Sequence, residues 1–346
     1  MLTPPRRTLL SLAASLPFLT PTQRARAAGT YQPSASLAAA ARAEGRLVLY
    51  TTNYNEVEQE VINLFNKSFP QVRVEMVRAS GGQLITRIRT EATMGKLAAD
   101  VVDHSDPGLM RADEALYQAH TPPNAADYRP EMITAGKFWP SIVPPWTIVH
   151  NTEVVKNPPR SWWDLCKPEY ANGQIGTVIA GSGGSTWARI LFERMVLGEE
   201  YWTRQAAVKP KLFPSGAPLA DAVVRGEVPI GVVVQNAAFG FRKAGAPIAI
   251  TFPPEGVPVV YTAMGIPRTA AHPNAARLFC DWKLSLEAQI DTIATHGNLS
   301  ALREQPAVPE GFDPAKIKLW VPDFQKHAAL QKGWVEQWNQ TYGYRQ

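Results

Sequence analysis

Four short polar runs in this chain carry residue types suited to holding a negatively charged group. Thr51-Thr52-Asn53-Tyr54 combines hydroxyls, an amide and a phenol, and Ser80-Gly81-Gly82-Gln83 sets two glycines between polar side chains. His104-Ser105-Asp106-Pro107 offers a hydroxyl at Ser105, and Ala180-Gly181-Ser182-Gly183-Gly184-Ser185-Thr186 mixes glycines with hydroxyls. Each lies between an apolar run and a helix-forming one. At such junctions free backbone N–H groups and the helix dipole favour an anion, and glycine lets the backbone approach it. Ordinary roles stand beside this reading: Thr52 or Asn53, and Ser105 or Asp106, could cap helices, and the glycines could only turn the chain. Gln235-Asn236 ends another apolar run with two amides, and Tyr261 and Thr262 add a phenol and a hydroxyl. Arg78 and Arg189 are placed to meet a carboxylate or phosphate bidentately, with a solvated surface role as the alternative for both.

The same inventory argues against other chemistries. G-x-x-x-x-G-K is absent, and the G-x-G-x-x-G pattern fails at its third glycine, where Thr186 stands. Gly183-Gly184-Ser185-Thr186-Trp187 lacks the last glycine of a G-x-S-x-G elbow, and H-E-x-x-H does not occur. The six histidines, at positions 104, 120, 150, 272, 296 and 327, show no paired metal-ligand spacing. No cofactor or metal is expected, and a hydrolase is the reading left open outside the binding class.

The positioning elements are legible as periodicities. Leu47 to Tyr50 reads as a buried strand, and Val57, Val61, Leu64 and Phe65 recur at helical spacing until Pro70. Val72, Val74 and Val77 begin the next strand. Leu84 to Met94 predicts a helix and Ala98 to Val102 a strand. A Pro-rich aromatic stretch from Pro122 to Pro145 follows, and a strand at Trp146 to Asn151 is expected to cross into a second lobe. Strands at Ile175 to Ile179 and Pro229 to Val234 flank a helix at Trp187 to Leu197. Val257 to Ile266 reads as the returning strand, with helices from Asn274 to Thr295. The alternation selects the α/β class, in which ligands sit outside the carboxyl ends of strands.

Arg46-Leu-Val-Leu-Tyr-Thr-Thr-Asn53, Phe69-Pro-Gln-Val-Arg-Val-Glu75, Gly81 to Glu91, Ala99-Asp-Val-Val102, Ala220 to Val233 and Pro267 to Gln289 together resemble the extracellular solute-binding proteins of ATP-binding-cassette importers. The branch is the one that includes binders of ferric ion, 2-aminoethylphosphonate and phosphorylated small molecules. The resemblance implies a class II periplasmic-binding-protein architecture: two Rossmann-like lobes, 28–147 with 264–346 and 148–263, joined by two crossing strands and closing over a solute. It implies a carrier with no covalent chemistry and a membrane permease as partner; a monomer is expected. Iron binders of this branch place a tyrosine pair where this chain reads Gln235-Asn236-Ala237-Ala238-Phe239, which leaves Tyr54 as a lone phenol and favours an organic anion. Phosphonate or phosphate ester ranks first and carboxylate second; ferric ion is the alternative.

Residues 1–27 read as an export signal, with Arg6-Arg7 before an apolar stretch and a small-x-small site at Ala25-Arg26-Ala27. The arginine pair leaves the twin-arginine and general routes both open. Cleavage leaves 346 minus 27, or 319 residues, and removes four arginines, so the charge falls from +5 to +1. A nucleic-acid reading loses its support with that charge, and a periplasmic location is expected. Cys166 and Cys280 could pair in an oxidising compartment, or Cys280 could be a buried free thiol.

Overall fold

A computed structural model describes residues 30–306 and 317–345. The export signal expected at 1–27 lies outside the described residues. Helix α1 (Ala35–Glu44) leads into β1 (Arg46–Thr51), α2 (Asn55–Ser68), β2 (Arg73–Arg78), α3 (Gly81–Thr93), β3 (Val101–His104) and the short α4 (Pro107–Ala112). β1 pairs in parallel with β2 and β3, with Thr51 opposite both Arg78 and Asp103. That register brings the three strand ends to one edge of the first sheet, where the first three polar runs meet. The β1 interior is apolar because both faces are covered: Leu47, Leu49 and Tyr50 are fully buried.

The second sheet contains β4 (Trp146–Asn151), β5 (Ile175–Val178), β6 (Lys211–Phe213), β7 (Ile230–Val234) and β8 (Ile248–Thr251) in the order β6-β5-β7-β4-β8. Around it lie α5 (Gly184–Phe192), α6 (Glu200–Ala207), α7 (Gly216–Val224) and α8 (Asn236–Lys243). β5 runs parallel to β6 and β7, so the runs after these three strands also converge on one edge. β4 pairs antiparallel with β7 and β8 and lies wholly in this sheet. The crossing precedes it: Trp139 bridges Met264 and Pro145 bridges Val259, both antiparallel. The returning chain forms β9 (Val257–Pro258) and β10 (Ala263–Gly265), and β10 joins the first sheet beside β3.

α9 (Pro273–Lys283) and α10 (Leu286–His296) cover the first sheet, and β11 (Leu319–Trp320) pairs with β9. After the single turn α11 (Phe324–His327), α12 (Gln331–Thr341) packs against α5 and α6 of the second lobe. The last helix, within the 264–346 stretch that the sequence assigns to the first lobe, thus makes contacts with helices of the second. Arg189 explains the docking. Its buried guanidinium pairs with Glu193 at 2.6 Å and lies 5.4 and 5.6 Å from the ring centroids of Trp146 and Trp338. Arg189 thus holds the C-terminal helix and does not face a solute. The helix expected to run to Leu197 leaves α geometry at Phe192 and makes one π turn, Glu193–Leu197, where Trp202 Nε1 donates to the buried Glu193 carboxylate at 2.7 Å. Cys166 and Cys280 are both free.

Candidate functional site

The two strand-end edges face each other across a cavity of about 300 Å³. Thr52, Asn53, Tyr54, Arg78, Gly81 and Ser105 line it from the first lobe, and Ser182, Gly183, Ser185, Thr186 and Asn236 from the second. Ile142, Pro144, Val260 and Thr262, from the two crossing segments, line it as well. Ser80 and Ser215, which sequence reasoning did not single out, line it too. Thr51, Gly82, Gly184 and Tyr261 are not among the lining residues. Thr51 is fully buried and accepts from the Asn53 N–H, Gly82 points to open space, and Tyr261 faces a separate cavity beside Thr134 and Phe324.

Helix starts dominate the lining. α2, α3, α5, α7 and α8 all begin at this cavity, and in none of the five does the N-cap side chain bond a first-turn N–H. Elsewhere Ser34, Asp106, Ser285 and Asp323 accept from Leu37, Leu109, Ala288 and Lys326, while α6 and α12, away from the cavity, also start without a side-chain cap. At α9 the carboxylate of Glu44 accepts from Asn274 and Ala275 N–H groups at 3.2 and 2.7 Å. The molecule thus places its own anion on one helix start and leaves five others open toward one space. Ser80 and Ser215 stand at N-cap positions without capping, which leaves their hydroxyls available to a ligand. Among the described residues no Asp or Glu lines the cavity, and Arg78 is the charged side chain that does.

The loops are pinned from behind, and the cap alternatives divide: neither Thr52 nor Asn53 caps α2, whereas Asp106 does cap α4. The N-cap of α2 is Tyr54, while Thr52 Oγ1 accepts from Ser105 N–H at 2.9 Å and ties the first and third runs together. Asp106 caps α4, which leaves the Ser105 hydroxyl to the cavity. His104 is fully buried; Asp106 N–H donates to its Nδ1 at 2.9 Å, so its proton sits on Nε2 and faces Gly81 O at 3.0 Å. Asn53 reaches away from solvent and donates Nδ2–H to Glu58 at 2.5 Å. Behind it Lys283 Nζ contacts Glu58 at 2.5 Å and Asp103 at 2.9 Å. Burial works against that ammonium, but Asp103 and Glu58 outweigh it and hold its pKa above the ordinary lysine value. Ser141 donates to Asp103 at 2.6 Å and lies 2.8 Å from the Thr262 hydroxyl, so the network reaches the crossing segments. No sequence signal marked it, because its charges lie far apart in the chain.

Tyr54 stays a neutral donor: burial raises its phenol pKa, and Arg78 only partly opposes this. Arg78 Nε donates to Asn53 O at 3.3 Å. Gly183 has φ +149°, a conformation only glycine adopts readily, and open space where a Cβ would stand. Asn236 Oδ1 is buried without a partner. Among the described residues no cluster of three His, Cys, Asp or Glu side chains could hold a metal ion.

The lobes touch through glycines. A Cβ on Gly184 would lie 2.5 Å from Asp106 Cβ and 2.9 Å from Ser105 O, and one on Gly216 would lie 3.0 Å from the Tyr54 hydroxyl.

The fold matches solved structures across most of its length. One is the periplasmic binding protein AfuA from Actinobacillus pleuropneumoniae with exogenous fructose-6-phosphate bound, at TM-score 0.73 and 22% identity over 87% of this chain and 100% of that one. Another is the substrate binding protein of an ABC transporter from Agrobacterium tumefaciens, at TM-score 0.75 and 17% identity over 86% and 94%. An uncharacterized protein of Haemophilus influenzae is 25% identical over 88% of this chain and 93% of its own. Both solved relatives support the two-lobed α/β architecture. The family model for the bacterial extracellular solute-binding protein matches residues 50–290, which cover both lobes and the cavity between them, and the chain belongs to that family.

Proposed function

We propose that this protein is the periplasmic solute-capture component of an ATP-binding-cassette importer and holds a small organic anion between its lobes. Phosphonates and phosphate esters are the first ligand class and carboxylates the second. One observation carries the reading: five helix starts without side-chain caps and one arginine converge on a cavity that no carboxylate lines. Oriented N–H groups and unused serine hydroxyls stabilise negative charge and leave a cation without a partner. The fructose-6-phosphate in AfuA and the transporter assignment of the Agrobacterium protein agree with this reading. Thr52, Tyr54, Arg78, Ser80, Ser105, Ser185, Ser215 and Asn236 are the side chains that would meet the solute, with backbone N–H groups at Gly81 and Gly183. Binding favours the closed arrangement of a hinge equilibrium, and the permease reads that closure.

A thermal-shift panel of phosphonates, phosphate esters, carboxylates and Fe(III) tests the proposal. A true solute at 100 times its dissociation constant adds about 2.7 kcal/mol of stability. Stabilisation by Fe(III) alone would overturn the anion reading. Turnover of an ester, lost on Ser182→Ala or Ser185→Ala, would overturn the carrier reading.

A further inference from the structure

The anion cavity does not end the cleft. Tyr54 and Asn236 also line a second, larger cavity of about 690 Å³ at the cleft mouth, between α2 and α10 of the first lobe and α7 and α8 of the second. The inner space is surrounded by hydroxyls and helix starts, whereas the outer one has an apolar wall of Val57, Ala217, Pro218, Ala237, Phe241 and Ala244. Phe241 is 36% exposed, unusual for a large apolar side chain in this molecule, and it forms part of that wall. Charged groups are present there too: Asp221 pairs with Arg225, while Glu56, Glu60 and Lys243 line the space beside that apolar wall. Asn236, which lines both spaces, keeps a buried amide oxygen with no hydrogen-bond partner among the described residues.

Resting on the proposed anion site, we infer that the solute is bipartite: an anionic head in the inner cavity and an uncharged, largely apolar portion, at least the size of an aromatic ring, in the outer one. Tyr54 and Asn236 line both spaces, so the two adjoin there, and one molecule reaching past these side chains would occupy both. Tyr54 and Asn236 then act as the gate residues that separate head from tail. An apolar tail gains from leaving water against Phe241 and its neighbours, while a short ester leaves that wall wet.

The test is calorimetric titration of the full mature chain with inorganic phosphate, methyl phosphate, phenyl phosphate and 1-naphthyl phosphate. The aryl esters are expected to bind at least about tenfold tighter than methyl phosphate. In Phe241→Ala the ratio of aryl to methyl affinity should fall several-fold, and because that side chain is at the surface the variant should fold normally. Equal affinities for methyl and aryl esters would overturn the bipartite solute while leaving the anion site standing. Failure of all four phosphates to bind would overturn the phosphate class ranked first and, with it, the inference.

Discussion

Gly184 is the position where closure can be separated from folding by one methyl group. It is the first residue of α5 in the second lobe, and its neighbours across the cleft are Ser105 and Asp106 of the first. In Gly184→Ala the new Cβ would stand 2.5 Å from Asp106 Cβ, 2.9 Å from Ser105 O and 3.0 Å from Asp106 Cα. Carbon atoms rest at about 3.5 to 4.0 Å, so the lobes must part locally by roughly 1 Å. The obstructing atoms cannot swing aside, because Asp106 is held by its cap to Leu109 at 3.0 Å and by its N–H to His104 at 2.9 Å. Overpacking of this kind costs about 1–3 kcal/mol, and it falls only on the closed state. Affinity for the solute should therefore drop roughly 5- to 150-fold. Within the second lobe the same change replaces glycine by a better helix former, so stability without ligand should hold or rise by up to about 1 kcal/mol. Titration calorimetry gives the first quantity and thermal unfolding the second; small-angle scattering with ligand should show a less compact complex. Gly82→Ala is the control, since nothing lies within 4 Å of the position its Cβ would take. A Gly184→Ala protein that binds as tightly as the parent, or that loses stability without ligand, would refute the reasoning.

Lys283→Met should destabilise the protein by about 3–5 kcal/mol in chemical denaturation, because Glu58 and Asp103 would remain buried without their cation. Asn53→Ala should cost about 1–3 kcal/mol of stability, more than a lost cap, since its amide donates to a buried carboxylate; unchanged stability would detach Asn53 from that network. Arg78→Ala should lower solute affinity and flatten its salt dependence while leaving the unfolding midpoint nearly unchanged; a salt dependence like the parent's would remove Arg78 from the site. Burial, with Lys243 and Lys283, lowers the His296 pKa to about 4, and the half-exposed Glu60 does not offset this. The unfolded chain therefore binds the extra proton between about pH 6.5 and 4, and stability is lost as pH falls through that window, by at most about 1.4 kcal/mol per unit. In His296→Gln that slope should be smaller, and an equal slope would assign it to other groups.

The sequence by itself determined the class and the order of elements. Short apolar runs alternating with amphipathic ones are local patterns, and the parallel sheets they specify place polar runs at the carboxyl ends of strands whatever else the chain does. This is why Thr52, Tyr54, Gly81, Ser105, Gly183, Ser185 and Asn236 were legible as lining residues before any coordinates. Tertiary structure decided which polar group serves which purpose. A hydroxyl at a helix start looks the same in sequence whether it caps, as at Ser285, or stays free, as at Ser80 and Ser215. Arg189 and Arg78 look alike as well, yet one is clasped between Trp146 and Trp338 and the other lines the cavity. The Lys283 network joins residues from 53 to 283, and the interlobe contacts at Gly184 and Gly216 join lobes that no local pattern relates. Periodicity reports what a segment does with its own neighbours; pairing of charges and close approach of backbones depend on distances that exist only once the two lobes are assembled.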